Sequence, residues 1–251
     1  MHEDFVIENG TLIRFLGESH EITVPDSVKV IGKEVFKGMS WITDITLPDG
    51  LTEIGENAFK GCRKLVNINF PDSLQKIGDL AFHRCHSLVS VTLPYSVSHL
   101  GKGTFLCCDS LEKLEAFGVK RLEMQTFANN TLLSDLALNC DIDCSNFKKD
   151  VFTGCLNLGT IRLSDGYFYK TDDMISAIIS ESPVHPVVRA IAESLYQSLE
   201  IENGTLNKFF VNLKNLTLPD GIKCIGKGCF FDKKGIVSIS FPNSLERIMT
   251  N

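Results

Sequence analysis

Apolar residues recur along most of this chain with a period of 23 residues. Four blocks open with an apolar-proline pair, at Val24-Pro25, Leu47-Pro48, Phe70-Pro71 and Leu93-Pro94. After the opening residue, Ile-Gly follows at seven and eight residues, Phe at twelve, Cys at fifteen, and Leu and Ile at eighteen and twenty-one, and the block that begins at Leu47 has all of these. A repeat of this length predicts a solenoid, in which each coil packs on its neighbours.

The segment before the first coil predicts a β-hairpin. Phe5 to Leu16 alternates apolar and polar residues around Asn9-Gly10, a pair typical of two-residue hairpin turns. Without a cap, the first coil would expose its apolar face and its unpaired strand edge to water. We expect the hairpin to cover that end, and four regular coils to follow from Val24 to about Glu115.

The next two coils depart from the regular pattern. The coil around Phe127 lacks the opening proline and the glycine, and the coil around Phe152 follows an insertion at 141–149. From Asp172 the apolar spacing becomes helical, with one stripe at 174–179 and another at 188–199. We predict two helices that close the far end of the first array. Pro186 suits the first position of the second helix.

The hairpin and the coils then begin again. The letters Ile-Glu-Asn-Gly-Thr-Leu at 7–12 recur at 201–206, so the larger unit is a module of 194 residues. We expect a cap and first array at 1–170, the helical pair at 171–199, and a second cap with a truncated array at 200–251. The chain stops partway round a coil at Asn251, which suggests a fragment, a truncated product or a missing partner. An open terminal coil also predicts self-association.

Charge and hydropathy narrow the classes of partner. The 251 residues include 25 basic and 31 acidic side chains, giving a net charge of −6, and neither sign forms a long block. Because phosphate-backbone binding needs a basic stripe, we expect no nucleic-acid partner. We expect no membrane insertion, since no apolar run of about 18 residues is present. The first four residues do not resemble a secretory signal, which predicts a cytoplasmic protein, or a secreted or cell-surface one if an export signal was removed.

Four of the nine cysteines follow the repeat. Cys62, Cys85 and Cys108 recur at the period, and Cys155 keeps the same offset of three residues from its Phe. Side chains stacked in register leave Cβ atoms about 4.8 Å apart, beyond the mean of ~3.8 Å for a disulfide. Free cysteine is often buried. We therefore predict a ladder of buried free thiols, which fits a reducing compartment better than an oxidising one.

The repeated block resembles that of a known family. Leu-Pro-Asp-x-Leu-x-x-Ile-Gly-x-x-Ala-Phe-x-x-Cys-x-x-Leu at Leu47 to Leu65, with a near copy at Phe70 to Leu88, is similar to the BspA-like leucine-rich repeat. The resemblance covers roughly Phe5 to Leu163 and Glu200 to Ile248. It implies a right-handed α/β repeat solenoid with one short parallel strand per coil, no catalytic centre and no cofactor. Members are mostly bacterial and associated with adhesion or protein binding, so a protein partner is implied.

The alternation of side chains along each predicted strand defines an exposed face. In the strand near Leu65, Ile68 and Phe70 should face the core, while Asn67 and Asn69 face outward. Stacked coils form extended concave surfaces that repeat proteins use for binding. We predict a protein-binding face that consists of Asp44, Thr46, Asn67, Asn69, Ser90, Thr92, Lys113, Glu115, Thr160 and Arg162. The alternative is that exposed strands simply need β-compatible polar residues. In this set, only Arg162 is of a type common among interface anchors.

The aromatic run Tyr167-Phe168-Tyr169 offers a second candidate interface. It lies where the first array meets the predicted helices. Such residues seal a junction between packed elements or, where exposed, anchor an interface. Whether the strand face or this junction binds the partner is open at this point.

Catalytic and metal chemistry have little support in the sequence. His83-Arg84-Cys85-His86 contains zinc-ligand residue types, but Cys85 should point inward while the histidines lie on a turn. Equivalent cysteines in successive coils make a unique nucleophile improbable. We therefore expect no metal, no cofactor and no enzymatic activity. The main hypothesis is a scaffold for protein–protein binding, with adhesion as its more specific form, and the alternative is a structural module of a longer repeat protein.

Overall fold

The computed structural model of the protein describes residues 4–144, 150–155, 157–170, 185–196, 199–209, 215–218, 221–231 and 237–249. These residues form short strands and one helix, α1 (Pro186–Tyr196). The strands are β1 (Phe5–Glu8), β2 (Thr11–Phe15), β3 (Glu21–Thr23), β4 (Val30–Ile31), β5 (Asp44–Thr46), β6 (Glu53–Ile54), β7 (Asn67–Ile68), β8 (Lys76–Ile77), β9 (Ser90–Thr92), β10 (His99–Leu100), β11 (Lys113–Ala116), β12 (Asp135–Leu138), β13 (Thr160–Leu163), β14 (Phe168–Lys170), β15 (Leu199–Glu202), β16 (Thr205–Phe209), β17 (Asn215–Thr217), β18 (Cys224–Ile225), β19 (Ser238–Ser240) and β20 (Arg247–Ile248).

The predicted N-terminal hairpin is confirmed. Strands β1 and β2 pair antiparallel, with Phe5 opposite Phe15 and Glu8 opposite Thr11. Asn9 and Gly10 have φ values of 49° and 77°, the positive angles that a tight hairpin turn requires. Strand β2 then pairs in parallel with β4, so the hairpin covers the edge of the first coil.

Each regular coil contains two parallel strands, not the single strand that the resemblance implied. The first row consists of β4, β6, β8 and β10 and lies at the Ile-Gly positions. The second row consists of β3, β5, β7, β9, β11, β12 and β13. The glycine explains the extra row. A Cβ at Gly55 would lie 2.8 Å from the carbonyl oxygen of Ile31. Only glycine lets adjacent coils approach closely enough for the Gly55 N–H to bond that oxygen, at 2.8 Å.

A ladder of phenylalanine rings forms the centre of the first array. One ring per coil is fully buried, at Phe36, Phe59, Phe82, Phe105, Phe127 and Phe152. Consecutive rings stack nearly parallel, with centroids 5.0 to 6.1 Å apart. These rings belong to one hydrophobic cluster that extends from Leu12 to Leu195. The core is therefore continuous through all coils of this array.

The predicted ladder of buried free thiols runs beside the rings. The thiol of Cys62 donates to the carbonyl of Phe36 at 3.1 Å, and that of Cys155 donates to Phe127 at 3.0 Å. Burial raises the pKa of both thiols to about 12. In the fifth coil the same position is Asn130, which the sequence analysis missed. Its amide nitrogen donates to Phe105 and Phe127, at 3.0 and 2.8 Å.

Helix α1 packs on the last coil of the first array. Val188, Ile191 and Leu195 join the core cluster, and the buried Ser194 hydroxyl accepts a hydrogen bond from the Phe152 N–H at 2.9 Å. The first helix predicted at 174–179 lies outside the described residues. Among the residues that are described, no helix has the length and apolar character to cross a membrane.

The second array repeats the pairing of the first. Thr11 pairs with Val30 in the first array, and Thr205 pairs with Cys224 in the second. Its strands form the sheets β15-β16-β18-β20 and β17-β19, around a separate small core that includes Leu206. The division of the chain at residues 170 and 200 stays a prediction.

Candidate binding face

The ten predicted face residues lie in or next to strands of the second row. They divide between two sheets, because β7 and β9 are not paired. We call the sheet β3-β5-β7 the N-terminal half of the strand face; it contains Asp44, Thr46, Asn67 and the adjoining Asn69. The sheet β9-β11-β12-β13-β14 is the C-terminal half; it contains Ser90, Thr92, Lys113, Glu115, Thr160 and Arg162.

Polar side chains of the N-terminal half bond mainly to neighbouring coils. The Asn67 amide donates to the Asp44 carboxylate, and hydrogen bonds from Thr43 and Asn67 hold the pKa of Asp44 below its usual value. The Asn69 side chain accepts from the Leu47 N–H at 2.7 Å and donates to the Leu47 carbonyl at 3.1 Å. The Asn69 side chain thus replaces backbone pairing just beyond the paired residues of β5 and β7.

In the C-terminal half, the structure adds two residues to the predicted face. Strand β12 places Asp135 between Lys113 and Thr160, and Ala137 between Glu115 and Arg162. The predicted face omits this coil. Alternation from its apolar residues at 133, 136 and 138 would have placed both residues on the face.

Arg162 links three strands of this half by ion pairs. Its guanidinium lies 2.8 Å from the Glu115 carboxylate and 3.3 Å from that of Asp135. The hydrogen bond with Glu115 is the main cause that raises the pKa of Arg162. Ala137, which lies between Glu115 and Arg162 in the register, is fully buried. Arg162 is therefore held within the face by its ion pairs and is not free to extend outward as a single anchor.

The aromatic run joins the same sheet. Strand β14 returns antiparallel to β13, with Phe168 opposite Arg162 and Tyr169 opposite Ile161. Residues directly opposite each other share one side of a sheet, so Phe168 lies on the outer face beside Arg162. Phe168 is 56% exposed and Tyr167 61% exposed, whereas Tyr169 packs against the core cluster. The strand face and the junction are thus one surface, on which Tyr169 seals the interior.

A tight turn holds Tyr167 in place. The Leu163 N–H donates to the Tyr167 carbonyl at 2.9 Å, and the Tyr167 N–H donates to the Asp165 carboxylate at 3.2 Å. Gly166 has a φ of +90°, which glycine adopts without the strain of a Cβ. The exposed tyrosine therefore extends from an ordered turn.

The histidine cluster is arranged as a turn and not as a metal site. Cys85 points inward and donates to the Phe59 carbonyl at 3.2 Å, while the His86 ring nitrogen Nδ1 lies 2.8 Å from the Asp109 carboxylate. Burial lowers the pKa of His83 to about 4, with smaller contributions from the nearby cations Lys60 and Arg84. No group of three or more His, Cys, Asp or Glu side chains in the described ranges could hold a metal ion.

Comparison with protein families gives one match. The chain matches the model of the BspA type leucine rich repeat region in six copies, over residues 16–133, 58–172 and 192–251. No curated protein sequence is significantly similar to it.

Solved structures with similar folds are bacterial leucine-rich repeat proteins. A protein from Bacteroides ovatus is 22% identical, with a TM-score of 0.50 over 92% of this chain and 55% of its own. The pneumococcal vaccine antigen PcpA is 20% identical, with a TM-score of 0.51 over 96% of this chain and 68% of its own. A T. pallidum leucine-rich repeat protein is 28% identical, with a TM-score of 0.46 over 59% of this chain and 82% of its own. The chain spans about half the length of the B. ovatus protein.

Proposed function

The chain belongs to the BspA type leucine-rich repeat family, and we propose that it is a non-enzymatic scaffold for protein–protein binding. Repeat scaffolds of this family typically carry no catalytic centre, and leucine-rich repeat proteins generally mediate protein interactions. The partner contacts the C-terminal half of the strand face. Tyr167 and Phe168 form the apolar anchor of that contact.

The observation that carries the proposal is the pair of exposed aromatics beside a fixed polar surface. Phe168 is more than half exposed, although burying such a side chain is worth about 1.5–3 kcal/mol. Interface hot spots are enriched in Tyr, Trp and Arg and lie among polar contacts that exclude water. Phe168 lies opposite the ion-paired Arg162, so its surroundings are ordered before a partner arrives.

The two halves of the face differ in how well they suit this role. The N-terminal half has short strands, and its Asn67 and Asn69 side chains are bonded to adjacent coils. The C-terminal half is a continuous sheet of five strands that ends in the aromatic turn. A partner would therefore gain more buried apolar area on the C-terminal half. An extracellular partner would make the role adhesion, and the compartment stays a prediction.

The test is to capture a partner through Tyr167 and then to measure its affinity. A photoreactive phenylalanine analogue at Tyr167 is irradiated in native cells, and the adduct is identified by mass spectrometry. The purified partner is then titrated against the unmodified protein. We expect Phe168→Ser to weaken binding by about tenfold or more. Tyr95→Ser is the matched control, because Tyr95 is 69% exposed but lies outside the strands of the face.

Two outcomes would contradict the proposal. If Phe168→Ser and Tyr95→Ser reduce the affinity for the partner equally, the aromatic turn is not the contact. Failure to crosslink any partner from Tyr167, together with normal folding of the labelled protein, would favour the alternative of a structural module that has no ligand site.

A further inference from the structure

A basic groove lies on the turns that follow the buried phenylalanines of three successive coils. It has a volume of about 400 Å³, and four cations line it: Lys37, Lys60, Arg63 and Arg84. These residues come from separate blocks of the sequence, and the fold brings them together on a chain whose net charge is −6. The sequence does not reveal the groove, because no two of its cations are adjacent in the sequence.

The Glu34 carboxylate offsets part of the positive charge of the groove, since Lys37 and Lys60 both help to lower its pKa. Lys37 lies 2.9 Å from the carboxylate of Glu34. In the part of the chain that the structure describes, Lys60, Arg63 and Arg84 form no ion pair. The groove therefore has an excess of positive charge within one concave surface. Such a surface raises the local concentration of anions.

Two stacked glycines leave space in the groove between the basic side chains. Gly38 and Gly61 line it at equivalent positions of adjacent coils. A Cβ at Gly38 would have no neighbour within 4 Å, and one at Gly61 would meet only backbone atoms of Gly38, at 3.7 Å or more. Glycines of this kind allow another chain's backbone to approach closely. Among the described residues, no aromatic side chain lines the groove, so this lining lacks the stacking platform typical of single-stranded nucleic-acid sites.

We propose that this groove binds an extended acidic segment of a partner protein. Arginine pairs with carboxylates through two parallel hydrogen bonds, and lysine adds a point charge. In an extended segment, side chains on one side recur about every 6.6 Å, whereas adjacent coils are 5.0 Å apart at the phenylalanine ladder, so the long Lys and Arg side chains have to span a difference of about 1.6 Å per coil. Alternate acidic residues can thus contact cations of successive coils. The inference rests on the proposed function, since it assumes a protein partner. It adds that the bound segment of this partner is negatively charged.

The test uses the full chain and a defined peptide. The probe is a blocked octapeptide of alternating Glu and Ser, and its control has Gln in place of each Glu. We expect the Glu peptide to bind and the Gln peptide not to bind. The triple variant Lys60→Gln, Arg63→Gln, Arg84→Gln should lose at least about tenfold in affinity. A matched variant, Lys29→Gln, Lys120→Gln, Lys223→Gln, removes the same charge elsewhere and should lose less than about threefold.

The contrary results are equally specific. If the two triple variants lose equal affinity for the Glu peptide, binding depends only on the overall charge of the protein. If an oligodeoxythymidine binds through the same three side chains and the peptide does not bind, the ligand of the groove is a nucleic acid and not an acidic protein segment. Phe168→Ser should leave peptide affinity unchanged. If the peptide fails to bind while a partner is still captured through Tyr167, the groove inference is wrong and the proposed function stands.

Discussion

The two halves of the strand face rest on the same kind of interior but present different surfaces. Beneath them, Ile45 and Leu136 are both buried, and the phenylalanine stack runs under each half. At the surface, the N-terminal half ends at β7, beside which the Asn69 side chain bonds back to the Leu47 backbone. The C-terminal half continues through five paired strands to the exposed Phe168.

This difference shows which parts of a coil are free to vary. The buried positions must fill the same space in each coil, because every coil packs on its two neighbours. Outward positions are not constrained by this packing. One end of the array can therefore have ion pairs and aromatic side chains while the other has asparagines. A binding surface can therefore be built on one half without changing the core.

The largest expected effect comes from the core beneath the C-terminal half. Leu136→Ala should lower the free energy of unfolding by about 2–5 kcal/mol, because Leu136 is fully buried. Ile68→Ala in the N-terminal half should cost only about 1–2 kcal/mol, since Ile68 is half-buried at the end of its sheet. Urea denaturation of both variants measures the difference. Equal losses would mean that the two halves are packed equally well.

The thiol ladder should respond to pH equally under both halves. The pKa of Cys62 and Cys155 is raised by burial from 9.0 to about 12 in the folded protein. The folded state thus holds these protons more tightly, so the stabilisation is complete below about pH 9 and is lost as pH rises toward about 12. At about pH 10.5 each thiol should account for about 2 kcal/mol of lost stability.

The control compares single variants across that pH range. Cys62→Ala and Cys155→Ala should each show a smaller drop in unfolding free energy between about pH 8 and 10.5 than the unmodified protein, by similar amounts. A drop that neither variant reduces would show that the ladder does not cause the alkaline instability.

A smaller effect is expected at the edge of the N-terminal half. Asn69→Ala removes two hydrogen bonds to the Leu47 backbone and should cost about 1–2 kcal/mol in chemical denaturation. Asn67→Ala is the matched control, because it removes one exposed bond to Asp44 and should cost less than about 0.5 kcal/mol. If Asn69→Ala costs no more than the control, Asn69 does not hold the end of the sheet.

The smallest change in stability is expected from Arg162→Gln. Its ion pairs are partly exposed, and such pairs contribute less than about 1 kcal/mol. A denaturation midpoint close to that of the unmodified protein would agree with this expectation. A loss above about 2 kcal/mol would show that Arg162 holds the C-terminal half together.

Features that repeat along the chain or follow a known short-range pattern could be predicted from the sequence. The hairpin, the phenylalanine and thiol ladders and the outward residues of the regular coils follow from repeated letters and alternation. Asn130 could not be recognised in the same way, because an amide replaces a thiol by making different hydrogen bonds at one position.

Features that occur only once in the chain could not be predicted from the repeat pattern. The return of β14 beside β13 depends on the turn at Gly166, for which no other coil supplies a precedent. The sequence therefore left the strand face and the aromatic junction as alternatives. The basic groove could not be predicted for a related reason: Lys37 and Lys60 share a repeat position, but Arg63 and Arg84 lie at other positions of their coils.

Hydrogen exchange of the protein with and without its captured partner tests the central claim most directly. If the C-terminal half of the strand face is the binding surface, amides of β13, β14 and the turn between them will exchange more slowly in the complex. Amides of β5 and β7 will not change. Protection confined to β5 and β7, with β14 unaffected, would contradict the account.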